Sequence, residues 1–342
     1  MSVLAPVGSF ESAVVAQSGT VEWLLRVVLN DLWGTGLDIV ARGTGLDILA
    51  SPFMQRAYLA AICVAIIGPL VGSFLVHREM AMIADTLAHS AFAGVAVGLF
   101  VNATFAVVVA PLLTALVVAA IAALLVQTLV DYVGAYRDTS LAIVLTGAFA
   151  VGSVLVTATD GGIAVGINAY LFGSLATVSR ANAAILLALS LFVTVVVAVA
   201  YRPLVFVTFD EVGARAAGLN VSQYNQLLAV LTAVVVVGAM QIMGVILVAA
   251  MLVVPVAAAT PVRGFKRAIA AGICVGLFAT VTGVTLSYVY GIAAGGTIVL
   301  VAIGVYASSR VAALISQRLS RRNSTQNPTV SQPAGADSGD NE

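Results

Sequence analysis

Asp85 and His89 stand four residues apart in MIADTLAHSAFAGVAVGLF, residues 82–100. A carboxylate and an imidazole are costly in hydrocarbon, so an ionisable pair inside an apolar run is a candidate functional site. On a helix, residues four apart project from one face. Such a pair can close on a single divalent cation. An aspartate oxygen and a neutral imidazole nitrogen suit Zn²⁺, Mn²⁺ or Fe²⁺. Two protein ligands do not enclose an ion, so waters or a second helix must complete the shell. An incomplete shell suits a transit site, because an ion held by four strong ligands would not leave. Counted from the charged loop His77-Arg78-Glu79, His89 is expected ~15 Å into the helix, near mid-membrane. The competing reading gives Asp85 to a helix N-terminus and His89 to a carbonyl between helices.

A second constellation is FDEVGARAAGLNV, residues 209–221. Asp210 and Glu211 open a short polar helix and Arg215 follows one turn later, as the helix dipole favours. Small residues there, with Gly218 near the end, leave a surface that another protein could approach closely. Spacing alone does not separate a docking helix from an ordinary solvated loop helix. His77, beside Arg78 at a membrane edge, reads as a solvated imidazole rather than a ligand. Asn168, Gln226 and Gln241 can hydrogen-bond between helices or lend an oxygen to a passing ion. Gly244 and Pro255 read as packing and kink residues. The GxxxG spacings Gly68/Gly72, Gly94/Gly98 and Gly272/Gly276 define no dimer face in a chain with 31 glycines.

The elements that must position these groups are membrane helices. Hydrophobic residues make up 61% of the 342 positions, charged ones 9%, and the mean hydropathy is +1.11. That composition is polytopic membrane protein, not soluble domain. A hydrocarbon core takes ~20 helical residues to cross. The apolar runs 57–76, 80–101, 103–127, 139–158, 181–201, 222–239, 241–259, 268–290 and 295–315 meet or approach that length. The run 164–178 is short and interrupted by glycine, and reads as a re-entrant helix tolerated only inside protein. The fold expected is therefore all-α, a polytopic permease of about eight to nine spans plus that re-entrant piece. Most arginines, with Lys266, fall in the loops near 78, 137, 202–215 and 263–267 and beyond 309. Arg26, Arg42, Arg56 and Arg180 fall on the other side. This asymmetry places the C-terminus in the cytoplasm and the N-terminus outside.

Residues 1–50 form an N-terminal extension in which Trp23–Trp33 suggests an interfacial helix. The transmembrane domain covers 51–315. The remainder, 316–342, is a polar cytoplasmic tail, disordered by composition. The zero net charge argues against a nucleic-acid partner. Cys63 and Cys274 sit alone in separate apolar runs and read as small core residues. The single lysine, Lys266, lies in PVRGFKRA, without a glycine-rich loop or a following Ser or Thr. A GxxxxGK[ST] phosphate loop is absent, so any ATP-driven transport takes its nucleotide chemistry from another subunit.

Six segments, in this order, carry a resemblance: SPFMQRA at 51–57, ADTLAHSAFAGVAVG at 84–98, YLFGSLATVS at 170–179, FDEVGARAAGL at 209–219, QIMGVILVAAMLVVPVAAA at 241–259 and GGTIVLVA at 295–302. The chain resembles the permease subunits of the manganese/zinc/iron ABC importers, the ABC-3 family. The resemblance implies a homodimeric permease of the plasma membrane. Its partners would be two cytoplasmic ABC ATPase subunits and an extracytoplasmic metal-binding protein. It implies that Asp85 and His89 line the ion path and that 209–219, with Asp210, Glu211, Arg215 and Gly218, is the coupling helix seated in the ATPase. No permanent cofactor is expected, because the metal ion is cargo, and the chain is not expected to be an enzyme. Asp160 is the only acidic group near an external loop that could form a secondary external metal site.

The function expected is thus inward movement of Zn²⁺, Mn²⁺ or Fe²⁺ by alternating access powered from the ATPase. An Asp/His pair admits all three ions, since selectivity rests on geometry and availability. The alternatives are an ion-coupled secondary carrier using Asp85 and His89 as a proton relay, and an ABC permease for metal chelates. A membrane-embedded hydrolase is disfavoured, because two histidines leave few ways to build a catalytic pair.

Overall fold

The computed structural model of the chain describes Trp33 and residues 51–105, 109–133, 136–158, 170–173 and 180–326. The regular elements among them are α-helices: α1 Pro52–His77, α2 Met82–Phe105, α3 Pro111–Val133, α4 Arg137–Thr157, α5 Arg180–Val199, α6 Tyr201–Phe209, α7 Glu211–Ala216, α8 Val221–Met243, α9 Val245–Ala259, α10 Phe265–Tyr290 and α11 Ala294–Gln326. Every expected span has its helix, but not every helix is a full span. Seven are long and apolar enough to cross a membrane, or eight if the bent pair α5–α6 counts as one. The expectation of eight to nine drops because α9, at 15 residues, rises only about 22 Å. A hydrocarbon core is about 30 Å thick.

The α5–α6 pair bends by 66°. Pro203 supplies the cause. It has no N–H to offer the Val199 carbonyl and its ring crowds that position, so the helix breaks at Ala200 and restarts. Of the expected re-entrant segment only Tyr170–Gly173 is described, with a helical turn at 170–172. Residues 1–32, 34–50 and 327–342 lie outside the described residues, so neither the interfacial helix nor most of the polar tail can be compared. Trp33 donates its indole Nε1 to the Gln55 carbonyl at 2.8 Å. α11 continues past the expected boundary at 315 to Gln326, because Leu, Gln and Arg in LISQRLSRR are strong helix formers.

The core forms around α1 and α2. α1 packs on α5, α8, α9 and α10, and α2 packs on α3, α4, α8 and α9. Two internal prolines leave carbonyls without helical donors, Ala65 under Pro69 and Met251 under Pro255. Glycines of neighbouring helices meet both. A Cβ on Gly276 of α10 would lie 3.0 Å from the Ala65 oxygen, and one on Gly68 of α1 would lie 3.3 Å from the Met251 oxygen. Close backbone approach of this kind shields polar groups from lipid. All six GxxxG glycines therefore serve packing within the chain: Gly68 and Gly72 against α9, Gly94 and Gly98 against α3, Gly272 against α1 and α9, and Gly276 against α1. Cys63 is buried as expected, but Cys274 is exposed on α10. Lipid is as apolar as the core, so an apolar side chain on a peripheral helix has no need to turn inward.

Candidate functional site: an Asp/His pair on α2 and a short polar helix

α2 begins at Met82, and Asp85 occupies its first turn. Residues 78–81 form a non-helical corner, so His89 stands about 10 Å along the helix rather than the ~15 Å expected from an unbroken count. The His89 Nδ1 lies 3.0 Å from the Asp85 backbone oxygen and 3.5 Å from its carboxylate Oδ1. A carbonyl only accepts, so Nδ1 carries the proton in that contact. In the neutral ring this leaves the Nε2 lone pair for a ligand. The helix thus fixes the tautomer and the ring, as a group behind a metal-binding histidine does. Asp85 stands beside the same N–H, where it can orient the ring and turn an oxygen to an ion.

The pair is only partly covered. Its side chains are 43% exposed at Asp85 and 22% at His89. The His89 ring meets Phe149 of α4 edge-on at 5.6 Å, and Phe149 is itself exposed. α4 buries only Ser140, Leu141, Val144 and Gly152. Among the described residues no group of three or more His, Cys, Asp or Glu could enclose a metal ion. Asp160 and Asn168 lie outside the described residues. One chain therefore presents two candidate ligands on a face that its own helices leave open.

The second constellation forms α7, closed at both ends. Asp210 is its N-cap, and its Oδ1 accepts from the Gly213 N–H at 2.7 Å. Glu211 and Arg215 pair at 2.6 Å, one turn apart and exposed, a geometry that contributes little to stability. At the far end, the Gly218 and Leu219 N–H groups donate to Arg215 and Ala214. Gly218 takes φ 84 there. Ala214 is fully buried against Val207 and Val221. Val212, in contrast, is 80% exposed and Phe209 is 59% exposed. The apolar projection from Val212 and Phe209 was not evident from spacing.

Sequence reasoning also missed Arg78. It reads as one more loop charge, yet its Nε donates to Thr208 Oγ1 at 2.9 Å and its Nη1 to Asn225 Oδ1 at 2.5 Å. Burial draws the guanidinium below its ordinary value, Glu211 opposing and Arg137 adding to the effect. Arg78, Arg137, Glu211 and Asn225 line a cavity of about 240 Å³. An open cleft of about 700 Å³ adjoins Arg137, Glu211, Arg215 and Asn225. His77 is half-buried rather than fully solvated. Its ring is wedged edge-on against Phe209 at 5.8 Å and Phe265 at 5.1 Å, with Nδ1 2.7 Å from the Ser73 oxygen. The aromatic residues that close this corner come from distant sequence positions, which is why its neighbourhood was not legible.

Long apolar helices, with a short polar helix between two of them, define a multi-pass helical permease of the plasma membrane. The chain belongs to the ABC 3 transport family, whose model matches residues 50–313. It is an ABC transporter permease, a transport subunit. It is 33% identical over 268 residues to the manganese transport system membrane protein MntC of Halalkalibacterium halodurans, covering 76% of this chain and 87% of that one. It is 27% identical over 253 residues to the manganese import system permease protein ScaB of Streptococcus gordonii, covering 72% and 87%. Among solved structures, PsaBC from Streptococcus pneumoniae in complex with Fab matches with a TM-score of 0.69 and 28% identity. That match covers 77% of this chain and 92% of the other.

Proposed function

We propose that this chain is the permease of an ATP-driven importer of a divalent transition-metal ion, with Asp85 and His89 as path ligands. The observation that carries the reading is the pair itself, one turn apart on α2 with the imidazole tautomer set and one face open. Manganese is the first ion to test, since the similar MntC and ScaB proteins are named for manganese transport. Zinc and iron suit the same donor atoms. A homodimer follows from the incomplete site: a second copy facing the open side of α2 and α4 adds a second Asp/His pair to one path. α7 is the coupling helix, with Val212 and Phe209 entering a groove of a cytoplasmic ATPase and Asp210, Glu211, Arg215 and Gly218 holding its shape. An extracytoplasmic metal-binding protein delivers the ion.

The test is radioactive Mn²⁺ uptake into proteoliposomes holding the permease and its ATPase. Asp85→Ala and His89→Ala should each abolish uptake, a loss greater than the roughly tenfold to hundredfold that removing a group behind a ligand costs, with the ATPase still co-purifying. Wild-type uptake in both variants would refute the site. Uptake that proceeds without ATP and collapses with an uncoupler would make the chain an ion-coupled carrier instead.

A further inference from the structure

The corner between α1 and α2 is built unlike a passive turn. Glu79 adopts φ 58, a left-handed conformation that costs energy in a residue other than glycine. Arg78, next to it, reaches across to two separate elements: Thr208 near the end of α6 and Asn225 in the second turn of α8. These two elements flank α7 on either side. His77 adds a third contact, ring to ring with Phe209, the last residue before the α7 cap. On the other side of the corner α2 begins at Met82, with Asp85 in its first turn. The corner is thus fastened to both arms of the loop that carries α7, and it is also the root of the helix that carries the metal pair.

One guanidinium nitrogen completes the picture. Arg78 Nη2 is buried and meets no hydrogen-bond acceptor among the described residues. A buried donor left unmet is costly, so this arrangement does not exhaust the side chain's bonding. Glu211 lines the same cavity and here spends its carboxylate on Arg215. Glu211 is thus a carboxylate beside the same cavity as the unmet nitrogen, an acceptor that a shift of α7 would bring toward Nη2. Two discrete arrangements of a packed element are what carries a displacement between sites.

We propose that Arg78 is a positioning residue for transport, tying the α1–α2 corner to α6 and α8 so that a movement of α7 is delivered to Asp85 and His89. The inference rests on reading α7 as the coupling helix. Arg78 itself touches neither the ion nor the ATPase.

The experiment measures metal moved per ATP hydrolysed in proteoliposomes containing the permease and its ATPase. Arg78→Gln should keep the ATPase bound and hydrolysing while that ratio falls about tenfold. Arg78→Lys should recover part of it, since an ammonium still donates to Thr208 or Asn225. Thr208→Val and Asn225→Leu each remove one fastening and should each lower the ratio. A wild-type ratio in Arg78→Gln overturns the proposal. So does failure of Arg78→Gln to assemble together with wild-type ratios in Thr208→Val and Asn225→Leu, which would make the arginine a folding anchor only. Val212→Asp separates the two readings. If it leaves ATPase binding intact, the assignment of α7 fails. If it releases the ATPase while Arg78→Gln couples normally, only the role given to Arg78 fails.

Discussion

Replacing Gly72 by alanine adds a single methyl where, among the described glycines, a Cβ would come closest to a neighbouring helix. That Cβ would stand 1.9 Å from the Leu252 carbonyl oxygen and 2.8 Å from its carbon, where ordinary contact begins near 3.4 Å. The obstacle is backbone, so no side-chain rotation relieves it, and α1 and α9 must part by about 1.5 Å at that level. A gap of 0.5–1 Å already forfeits a quarter to a half of each dispersion contact. Overpacking of this kind costs about 1–3 kcal/mol, and a rigid obstacle argues for the upper part of that range. At about 2–3 kcal/mol the folded-to-unfolded ratio drops roughly 30- to 150-fold. Gly304 on α11 is the control, because a Cβ there meets nothing within 4 Å; its alanine variant should be close to neutral. The assay is reversible denaturant unfolding in mixed micelles, followed by circular dichroism. Equal stabilities for Gly72→Ala and wild type would refute the packing argument. Equal losses at Gly72 and Gly304 would refute its site-specificity.

Two further outcomes follow from local geometry. Asp210→Ala removes the side-chain acceptor for the Gly213 N–H and should weaken α7 by about 1 kcal/mol. Amide exchange at Gly213 should then quicken about fivefold, and unchanged protection would dismiss the cap. Gly244→Ala should destabilise more than Gly218→Ala in thermal unfolding. Both glycines have positive φ, but a Cβ at Gly244 meets the Leu171 oxygen at 2.2 Å whereas one at Gly218 meets nothing within 4 Å. The reverse ranking would contradict the packing of residues 171–173 against the α8–α9 break.

The helical architecture was readable because hydrophobic runs about 20 residues long have few alternatives in lipid. The Asp85–His89 juxtaposition was readable for a similar reason, since a spacing of four has one meaning on a helix. Its depth was not. The left-handed Glu79 and the turn through Ala81 shorten the helix by nearly a turn, and nothing in HREMA announces a positive φ at glutamate. Pro203 was visible, but the bend it makes depends on α6 packing back beside α1 and α8. Arg78 was misread because charge counting treats every loop arginine alike. Its partners Thr208 and Asn225 lie 130 and 147 residues away, and no local pattern links them.

The 66° bend at Ala200 gives the nine residues of α6 a mechanical character. They form an arm about 13 Å long, of which roughly 12 Å projects sideways from the α5 axis. A stroke of about 1 Å along that axis, applied where Phe209 meets Asp210, swings the arm through roughly 5°. A displacement of that end along the α5 axis would therefore reach the chain as rotation about a proline-made pivot.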